Sequence, residues 1–533
     1  MRASIGNVNA QEVPRPAPDA ARWRTAFWVA WAVILLVKLV LAATLAPFGD
    51  EAWYWQESRH PAWGYSDLPP ATAWLIALGE ALGGHGALAM RAPFLLLGAL
   101  LPLLMVRIGR RVFDARDGWC AGLLTLLLPL LGTLGIFALP DVPLTFVSAL
   151  ALDAFERAAR ERRRRDWIVL GAALGCAWLC HYRAAMLMLA GVAFLSITPR
   201  GRALWRVPGL WLALALGVLG LVPSLVFNAT HGWVALGFQL VERNPWSFHA
   251  DALVQPIEQA LVCTPLFYAL LLYAAWHCLR RMREGAPYDL FAICAAVPIV
   301  AYFVLGCFAD DTRFRVHWPL PGYLPLLLVA PLLLRRAASA GLRALRTATL
   351  LLLALGSVAA FGYLACAALP GGAALLARVK AFPEHFVGWS EAAGETRALL
   401  QQPEHAGDVL VADNFMLAAE LDFALDGGRA VYALDHPINA KHGRSAQLAA
   451  WQRDEAALNQ PGRRRVLLVA EPSARRERDR AAWMRSLCTR VAGLAPVAAL
   501  DLYDGRKRYR WFAGNTGATD APAADAGCAA DAP

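Results

Sequence analysis

The chain has 533 residues, of which 58% are hydrophobic and 17% charged, and its formal net charge is +10. Soluble domains carry about 25% charged residues, so this composition excludes an ordinary soluble protein and favours one that crosses a membrane. The positive charge falls in short clusters between apolar runs. This distribution indicates membrane orientation rather than nucleic-acid binding, for which the sequence carries no recognition motif.

The N-terminal residues 1–25 are polar and basic, and an apolar run follows from Ala26 to about Ala46. The run is longer than the roughly 7–15 residues of a signal-peptide core, so we expect an uncleaved first helix. Residues 1–25 are therefore predicted to form a cytoplasmic tail.

Clusters of basic residues separate the later apolar runs and mark the cytoplasmic side of the membrane. The clusters comprise Arg22 with Arg24, and residues 107–116, 156–166, 198–206, 279–285 and 335–346. If all of them lie inside, the short segment 71–82 does not cross, and we expect an interfacial or re-entrant helix there. The sequence then predicts an α-helical polytopic membrane protein with about 11 transmembrane helices within residues 26–369. Its N-terminus is cytoplasmic and its C-terminus lies outside.

The composition changes after Pro370, and the remaining chain is predicted to form a small α/β domain over residues 370–515. Buried-strand patterns occur at 409–414, 430–434 and 465–470, and helical patterns at 416–425, 445–458 and 474–489. The final residues 516–533 are rich in Ala, Asp, Gly and Pro, and we expect them to be disordered.

The outer segment 48–87 combines acids with aromatic rings where the first helix leaves the membrane. Its candidate substrate-contacting residues are Asp50, Glu51, Tyr54, Tyr65 and Asp67. A carboxylate pair there could be a solvated helix cap, and the rings could be an interfacial aromatic belt. The two features together favour a catalytic loop in which the rings hold a sugar.

Asp141 lies between two prolines in a short predicted outer loop, "LPDVPL". A carboxylate so close to hydrocarbon costs free energy and suggests a function. The alternative is a local hydrogen bond within a proline-bounded turn.

Positive groups on the same outer face contradict the positive-inside rule and need another reason to be there. His181, Tyr182 and Arg183 interrupt an apolar run, and Arg243 and Arg313 lie in outer loops. A guanidinium group matches the oxygens of a phosphate. Ion pairs with neighbouring acids are the alternative for Arg243 and Arg313.

Acids, rings and phosphate-binding cations beside lipid predict one chemistry: transfer of a sugar carried on a polyprenyl phosphate. A carboxylate deprotonates the acceptor hydroxyl, and cations stabilise the departing phosphate. The carboxylates would suit Mg²⁺ or Mn²⁺, but no ligand spacing indicates a metal site, so the sequence assigns no cofactor.

Residues 50–75, "DEAWYWQESRHPAWGYSDLPPATAWL", resemble the "DEAYYW…WGYxDHPP" signature of glycosyltransferase family 39, the dolichyl-phosphate-mannose protein mannosyltransferase-like enzymes. This family shares the GT-C fold with the aminoarabinose transferase of lipid A. Weaker similarities follow in order to about residue 470, among them "LPDVPL", "LGCAWLCHYRAA", "FNATHGWVALGFQLVER" and "VHWPLPGYL".

The resemblance implies a GT-C membrane glycosyltransferase with Asp50 as general base and Asp141 as a supporting acid. Two departures stand out: Leu68 replaces the family's histidine, and His181 replaces its lysine, with Arg183 two positions later in place of a threonine. If that lysine binds the carrier phosphate in the family, Arg183 supplies the corresponding positive charge here.

The predicted function is that of an inner-membrane glycosyltransferase acting on the periplasmic face, where the α/β domain also lies. It would move a sugar from a polyprenyl-phosphate donor to lipid A or lipopolysaccharide, another glycan, or a protein. Two alternatives stay open. A transporter or flippase would explain the mid-span Lys38, although no internal repeat supports it. An inactive glycolipid-binding relative would explain Leu68 and His181.

Overall fold

The computed structural model describes residues 18–244, 246–309, 316–337, 339–460 and 464–516. Helices dominate the chain as far as residue 378. They are α1 Pro18–Thr44, α2 Gly49–Arg59, α3 Ala71–Gly83, α4 Ala87–Val112, α5 Ala115–Leu127, α6 Pro129–Gly132, α7 Asp141–Glu161, α8 Arg164–Cys180, α9 Ala184–Ile197, α10 Pro199–Leu204, α11 Pro208–Leu219, α12 Val222–Thr230, α13 Val234–Gly237, α14 Gln255–Cys263, α15 Pro265–Arg280, α16 Tyr288–Gly306, α17 Leu320–Arg335, α18 Ala340–Ala368 and α19 Gly372–Arg378.

Within the described residues, five helical segments are long and apolar enough to cross a membrane, and one bent pair would make a sixth. The segments are Ala20–Thr44, Ala87–Val112, Pro208–Thr230, Tyr288–Gly306 and Ala340–Ala368, and the bent pair is Ala250–Cys263 with Pro265–Arg280. The chain is thus a multi-pass membrane protein. The number of about 11 crossings, like the division of the chain at residues 25, 369 and 515, stays a prediction.

The helix α1 begins at Pro18, eight residues before the predicted start of the apolar run. The helix α3 has 13 residues, which makes it about 20 Å long, whereas a hydrocarbon core is about 30 Å thick. It packs against α2 and α4. Its length is that of the non-crossing helix which the charge pattern predicts for residues 71–82.

The C-terminal part of the chain forms an α/β domain around a five-stranded sheet. Its helices are α20 Trp389–Gln401, α21 Phe415–Ala424, α22 Pro437–Lys441, α23 Ser445–Ala450, α24 Glu455–Leu458 and α25 Glu477–Arg490. Its strands are β1 Val409–Ala412, β2 Val431–Ala433, β3 Arg465–Ala470, β4 Ala492–Leu502 and β5 Lys507–Asn515. The strand order is β2-β1-β3-β5-β4; β1 is parallel to β2 and β3, whereas β5 is antiparallel to both β3 and β4.

The structure confirms the three predicted strands, which are β1, β2 and β3. Their continuous apolar runs are typical of parallel strands covered on both faces. The strands β4 and β5 were not predicted. Pro496 interrupts β4, which lies at the sheet edge and has register shifts against β5. The predicted helix 445–458 is two short helices, because Gln452 between them has a left-handed backbone with φ 55°.

The rings of α2 join the membrane-embedded helices to the α/β domain. Trp53 packs against Phe415 and Trp451, with ring centroids 5.5 and 5.1 Å apart, and Trp55 packs against Phe423 at 5.2 Å. Both indoles are almost completely buried. These two rings therefore form a core between the two parts of the protein. They neither form an interfacial belt nor hold a sugar in the way the sequence predicts, because both are buried.

Candidate active site

A cleft of about 290 Å³ lies where α2, the start of α7, the break between α8 and α9, and the α22–α23 turn meet. It brings together seven of the residues predicted from the sequence. These are Asp50, Tyr54, Asp67, Asp141, His181, Arg183 and Arg243. The two acids that the sequence singles out, Asp50 and Asp141, thus share one cavity.

Asp50 is in the first turn of α2, and its side chain is 33% exposed. Arg444, from the α/β domain, places Nη2 2.8 Å from Oδ1 of Asp50 and Nε 3.3 Å from Oδ2 of Asp67. The Arg444 side chain is only 3% exposed. A buried guanidinium therefore contacts two acids of the outer segment, and the sequence does not predict this partner.

Asp141 is the first residue of α7 rather than part of a loop. Pro143 fits in the same first turn because the first N–H groups of a helix have no intrahelical partner. Arg183 donates to Oδ1 of Asp141, and Nε2 of His317 lies 3.6 Å from the same oxygen. The cleft therefore contains a second carboxylate–guanidinium pair, built wholly from the membrane-embedded part of the chain.

His181 does not act as a cation in this cleft, contrary to the sequence prediction. Burial, and then the charge of Arg183, lower the pKa of His181 well below its ordinary value. Its Nδ1 accepts a hydrogen bond of 3.0 Å from the backbone N–H of Arg183. A neutral His181 thus fixes the backbone of Arg183. Among the residues predicted from the sequence, the positive charge comes from Arg183 and Arg243.

The guanidinium groups of Arg183 and Arg243 both lie against the ring of Trp318, 5.9 and 5.4 Å from its centroid. Arg243 follows a π-helical turn, Phe238–Glu242, and its Nη1 is 3.4 Å from Oε1 of Gln239. Two cations held on one wall form a site suited to a phosphate.

Glu51 is not in the cleft, although it is adjacent to Asp50 and was predicted to contact substrate. Its two carboxylate oxygens accept from Nε and Nη2 of Arg91 at 2.8 and 2.6 Å, and both side chains are fully buried. Arg91 also donates to backbone carbonyls at the end of α1, those of Ala42, Leu45 and Ala46. Glu51 additionally accepts from the backbone N–H of Ala138 at 2.7 Å.

We call Glu51, Arg91 and these backbone groups the clasp. It ties the end of α1, the start of α2 and the segment before Asp141 to one another. Glu51 is thus placed to position the two cleft acids rather than to contact a substrate.

Tyr65 and Tyr182 also do not line the cleft. The Tyr65 hydroxyl donates to the carbonyl of Glu57 at 2.8 Å, which closes the loop after α2. Arg313 lies outside the described residues, so its predicted role stays a prediction.

Sequence reasoning missed several residues that line the cleft: Phe238, Gln239, His317, Trp318, Lys441, His442 and Arg444. His317 and Trp318 belong to the motif "VHWPLPGYL". The motif resembles the family's sequence, but it does not indicate that these two side chains line the cleft. Arg444 is 377 residues from Asp67 in the chain, and nothing near it in the sequence indicates the contact.

Within the described ranges, no group of three or more His, Cys, Asp or Glu side chains is arranged to hold a metal ion. Asp50 and Asp141 each contact a guanidinium instead. The arrangement does not fit a carboxylate-bound Mg²⁺ or Mn²⁺, and we derive no step through a metal.

The chain is similar in sequence to known glycosyltransferases. Residues 67–227 match the family model described as dolichyl-phosphate-mannose-protein mannosyltransferase. The lipid A galacturonosyltransferase RgtD of Rhizobium johnstonii is 27% identical over 406 residues, which cover 72% of this chain and 79% of that protein. An undecaprenyl phosphate-alpha-4-amino-4-deoxy-L-arabinose arabinosyl transferase of Pseudomonas aeruginosa is 30% identical over 330 residues, 56% of each chain. The chain therefore matches about half the length of that second relative.

The fold matches the crystal structure of ArnT from Cupriavidus metallidurans in the apo state. The TM-score is 0.66 at 18% identity, and the match covers 93% of this chain and 98% of ArnT. The ArnT structure bound to undecaprenyl phosphate matches with the same TM-score at 17% identity, over 92% and 98% of the two chains.

Fold and cleft together define a polytopic GT-C membrane protein with a C-terminal α/β domain. The family match and the two relatives support a GT-C family 39 glycosyltransferase related to the lipid A aminoarabinose transferases.

Proposed function

We propose that this protein transfers a sugar from a polyprenyl-phosphate donor to lipid A or a related envelope acceptor. The observation that carries the proposal is the meeting of Asp50, Asp141, Arg183 and Arg243 in one cleft. Two acids and two cations at the end of apolar helices match a substrate whose phosphate lies at the membrane surface.

In the proposed reaction, Asp50 takes the proton of the acceptor hydroxyl as its oxygen attacks the anomeric carbon. The new glycosidic bond forms while the bond from that carbon to the phosphate oxygen breaks. The electron pair leaves with the polyprenyl phosphate, whose developing charge Arg183 and Arg243 stabilise. Asp141 holds Arg183 in place through their ion pair.

The printed names of the relatives support the substrate class. One relative is a lipid A galacturonosyltransferase, another takes its sugar from undecaprenyl phosphate, and ArnT has been crystallised with undecaprenyl phosphate. We propose the bacterial inner membrane as the location, with the cleft and the α/β domain on the periplasmic face.

Lys38, which motivates the transporter alternative, donates to the carbonyl of Leu134 at 2.7 Å and is buried. Leu134 lies just before Ala138 of the clasp, so Lys38 has a structural partner next to the predicted active site. This contact accounts for the charge of Lys38 within α1 without a transport function.

The test is a transfer assay with the full-length protein in detergent, polyprenyl-phosphate-linked sugars as donors and lipid A as acceptor, read by mass spectrometry. We expect a sugar mass added to lipid A by the wild type and lost in Asp50→Asn. Asp479→Asn, a largely exposed acid of the α/β domain, is the matched control and should transfer normally. Absence of transfer by the wild type across the donor panel would contradict the proposal and favour the inactive-relative alternative.

The orientation is tested separately by cysteine labelling in intact cells. Gly84 and Gly86 both have positive φ, so a cysteine there would be strained; Leu82, which is 82% exposed, is the better position. Leu82→Cys should react with an impermeant maleimide above the unsubstituted background, whereas Arg163→Cys in a basic cluster should react only after lysis. Labelling of Leu82→Cys only after lysis would contradict the proposed orientation.

A further inference from the structure

The α/β domain contributes its own basic wall to the cleft. Lys441, His442 and Arg444 line the cavity from the turn between α22 and α23. We call residues 441–444 the basic turn. It is separate in sequence from Arg183 and Arg243, which come from the membrane-embedded part.

The basic turn is fixed against the outer segment rather than loosely apposed to it. The Ser66 backbone N–H donates to Oε1 of Gln447 at 2.9 Å, and the Ser66 hydroxyl donates to the carbonyl of Gly443. Gly443 has φ 72°, and a Cβ there would lie 2.5 Å from the ring of Phe238. Only glycine lets the turn pass this close to the cleft wall.

Arg444 has more hydrogen-bonding capacity than its protein partners use. Its Nη2 and Nε contact Asp50 and Asp67, and its guanidinium lies 4.3 Å from the ring centroid of Phe415. Its Nη1 is buried and, among the described residues, has no hydrogen-bond partner. Buried donors without a partner are rare in folded proteins, and Arg444 is one of the residues that line the cavity, so its unused capacity points to a ligand.

We propose that the basic turn binds a second oxyanion of the substrates, distinct from the carrier phosphate, with Nη1 of Arg444 as its central donor and Lys441 adding charge. This inference rests on the proposed function, in which Arg183 and Arg243 take the carrier phosphate. The second oxyanion is either a phosphate on the acceptor or a carboxylate on the transferred sugar. Both present the oxygens that a guanidinium binds.

The arrangement gives the α/β domain a part in substrate selection. Arg444 contacts Asp50 and would contact the second anion with another nitrogen of the same planar group. Binding of that anion would place it next to the proposed base. A substrate that carries the anion is then held at a fixed position relative to Asp50.

The experiment uses the full-length protein in detergent, first saturated with undecaprenyl phosphate to fill the carrier site. Binding of glucosamine 1-phosphate and of galacturonate is then measured by saturation-transfer NMR, each against its counterpart without the anion, glucosamine or galactose. We expect at least one anionic sugar to bind about tenfold or more tightly than its counterpart. Tighter binding of glucosamine 1-phosphate would assign the second oxyanion to the acceptor. Tighter binding of galacturonate would assign it to the transferred sugar.

Arg444→Gln and Lys441→Gln should abolish or reduce this preference, and undecaprenyl phosphate binding should stay unchanged in Lys441→Gln. Lys441 is exposed, so its variant tests the turn even if Arg444→Gln does not fold. Arg453→Gln is the matched control, because Arg453 also pairs with a buried acid of the α/β domain at 2.8 Å but does not line the cleft.

Two results would overturn the inference: no preference for either anionic sugar in the wild type, or a full preference in both basic-turn variants. Weakened undecaprenyl phosphate binding in Arg444→Gln, with the sugar preference intact, would also overturn it by assigning Arg444 to the carrier phosphate. A wild type that binds no undecaprenyl phosphate would instead contradict the proposed function. The sugar preference is then read in the unloaded protein.

Discussion

Asp50 and Glu51 are consecutive residues of α2, yet they belong to two regions with opposite properties. The clasp around Glu51 is closed: the carboxylate and its Arg91 partner are fully buried, and the ion pair is surrounded by backbone donors and carbonyls. The cleft around Asp50 is open: its carboxylate is 33% exposed and borders a cavity of about 290 Å³. Both acids pair with an arginine, but only the second pair is accessible to a substrate.

This difference shows why an acidic pair at a helix start is hard to interpret from sequence. Successive helix positions are about 100° apart around the axis, so neighbouring side chains reach different surroundings. One of the two acids fixes the backbone of the site, and the other lies at its surface, where it is the proposed base.

The largest expected effect follows from breaking the clasp. Arg91→Ala leaves Glu51 buried without its partner, which costs about 3–5 kcal/mol, and frees three carbonyls at the end of α1. We expect a marked fall in the Tm of the detergent-purified protein or a loss of folded material. Arg110→Ala, on the exposed face of the same helix, should leave the Tm nearly unchanged. Equal Tm values for the two variants would show that the clasp does not hold the fold.

The cleft pair of Asp141 and Arg183 should act as one unit in catalysis. Arg183→Gln removes a charge-assisted contact to the donor phosphate, so we expect donor use to weaken about tenfold or more. Asp141→Asn should weaken it less, because Asp141 acts through Arg183. In the double variant, kcat/KM should be no lower than in Arg183→Gln alone. Strictly additive losses in this cycle would mean that Asp141 has a separate role.

The effect with the narrowest scope appears only when the pH is varied. It concerns a buried acid of the α/β domain that is held by hydrogen bonds. Asn414 and Trp483 donate to Asp413, and burial, followed by the nearby charge of Glu471, raises the pKa of Asp413 to about 7. An unfolded Asp titrates near 3.9. Between these values the folded state binds more protons, so stability should fall as the pH rises towards about 7.

Asp413→Asn should remove this part of the pH dependence. Tm values measured from about pH 5 to pH 8 should fall less steeply for the variant than for the wild type, and Asp479→Asn should behave as the wild type. A variant with the wild-type slope would assign the pH dependence to other groups.

Local sequence patterns predicted the class of protein and the strands β1, β2 and β3, and they placed Asp50 and Asp141 on the same outer face. The apolar runs indicate which segments are buried, and the motif at residues 50–75 indicates the family. Where predictions failed, long-range packing decides the outcome. The sequence favours rings that hold a sugar, but Trp53 and Trp55 are buried because α21 covers them. His181 looks like a cation, but its burial beside Arg183 keeps it neutral.

The partners of the two acids could not be predicted, because they depend on contacts between distant parts of the chain. Arg91 reaches Glu51 across 40 residues, and Arg444 reaches Asp67 across 377. Neither arginine lies in a recognisable motif. A single sequence gives no measure of which arginine approaches which acid.

The most direct test of the account compares Asp50→Asn with Glu51→Gln in two measurements on the same preparations, sugar transfer and thermal unfolding. Asp50→Asn keeps the size of the side chain but removes the base, so transfer should fall by about 10²–10⁴-fold with little change in Tm. Glu51→Gln leaves Arg91 without its charge partner, so the Tm should fall markedly, while transfer per folded molecule should fall far less than in Asp50→Asn. The reverse pattern, with Asp50→Asn active and Glu51→Gln stable but inactive, would contradict the assignment of Asp50 to chemistry and Glu51 to structure.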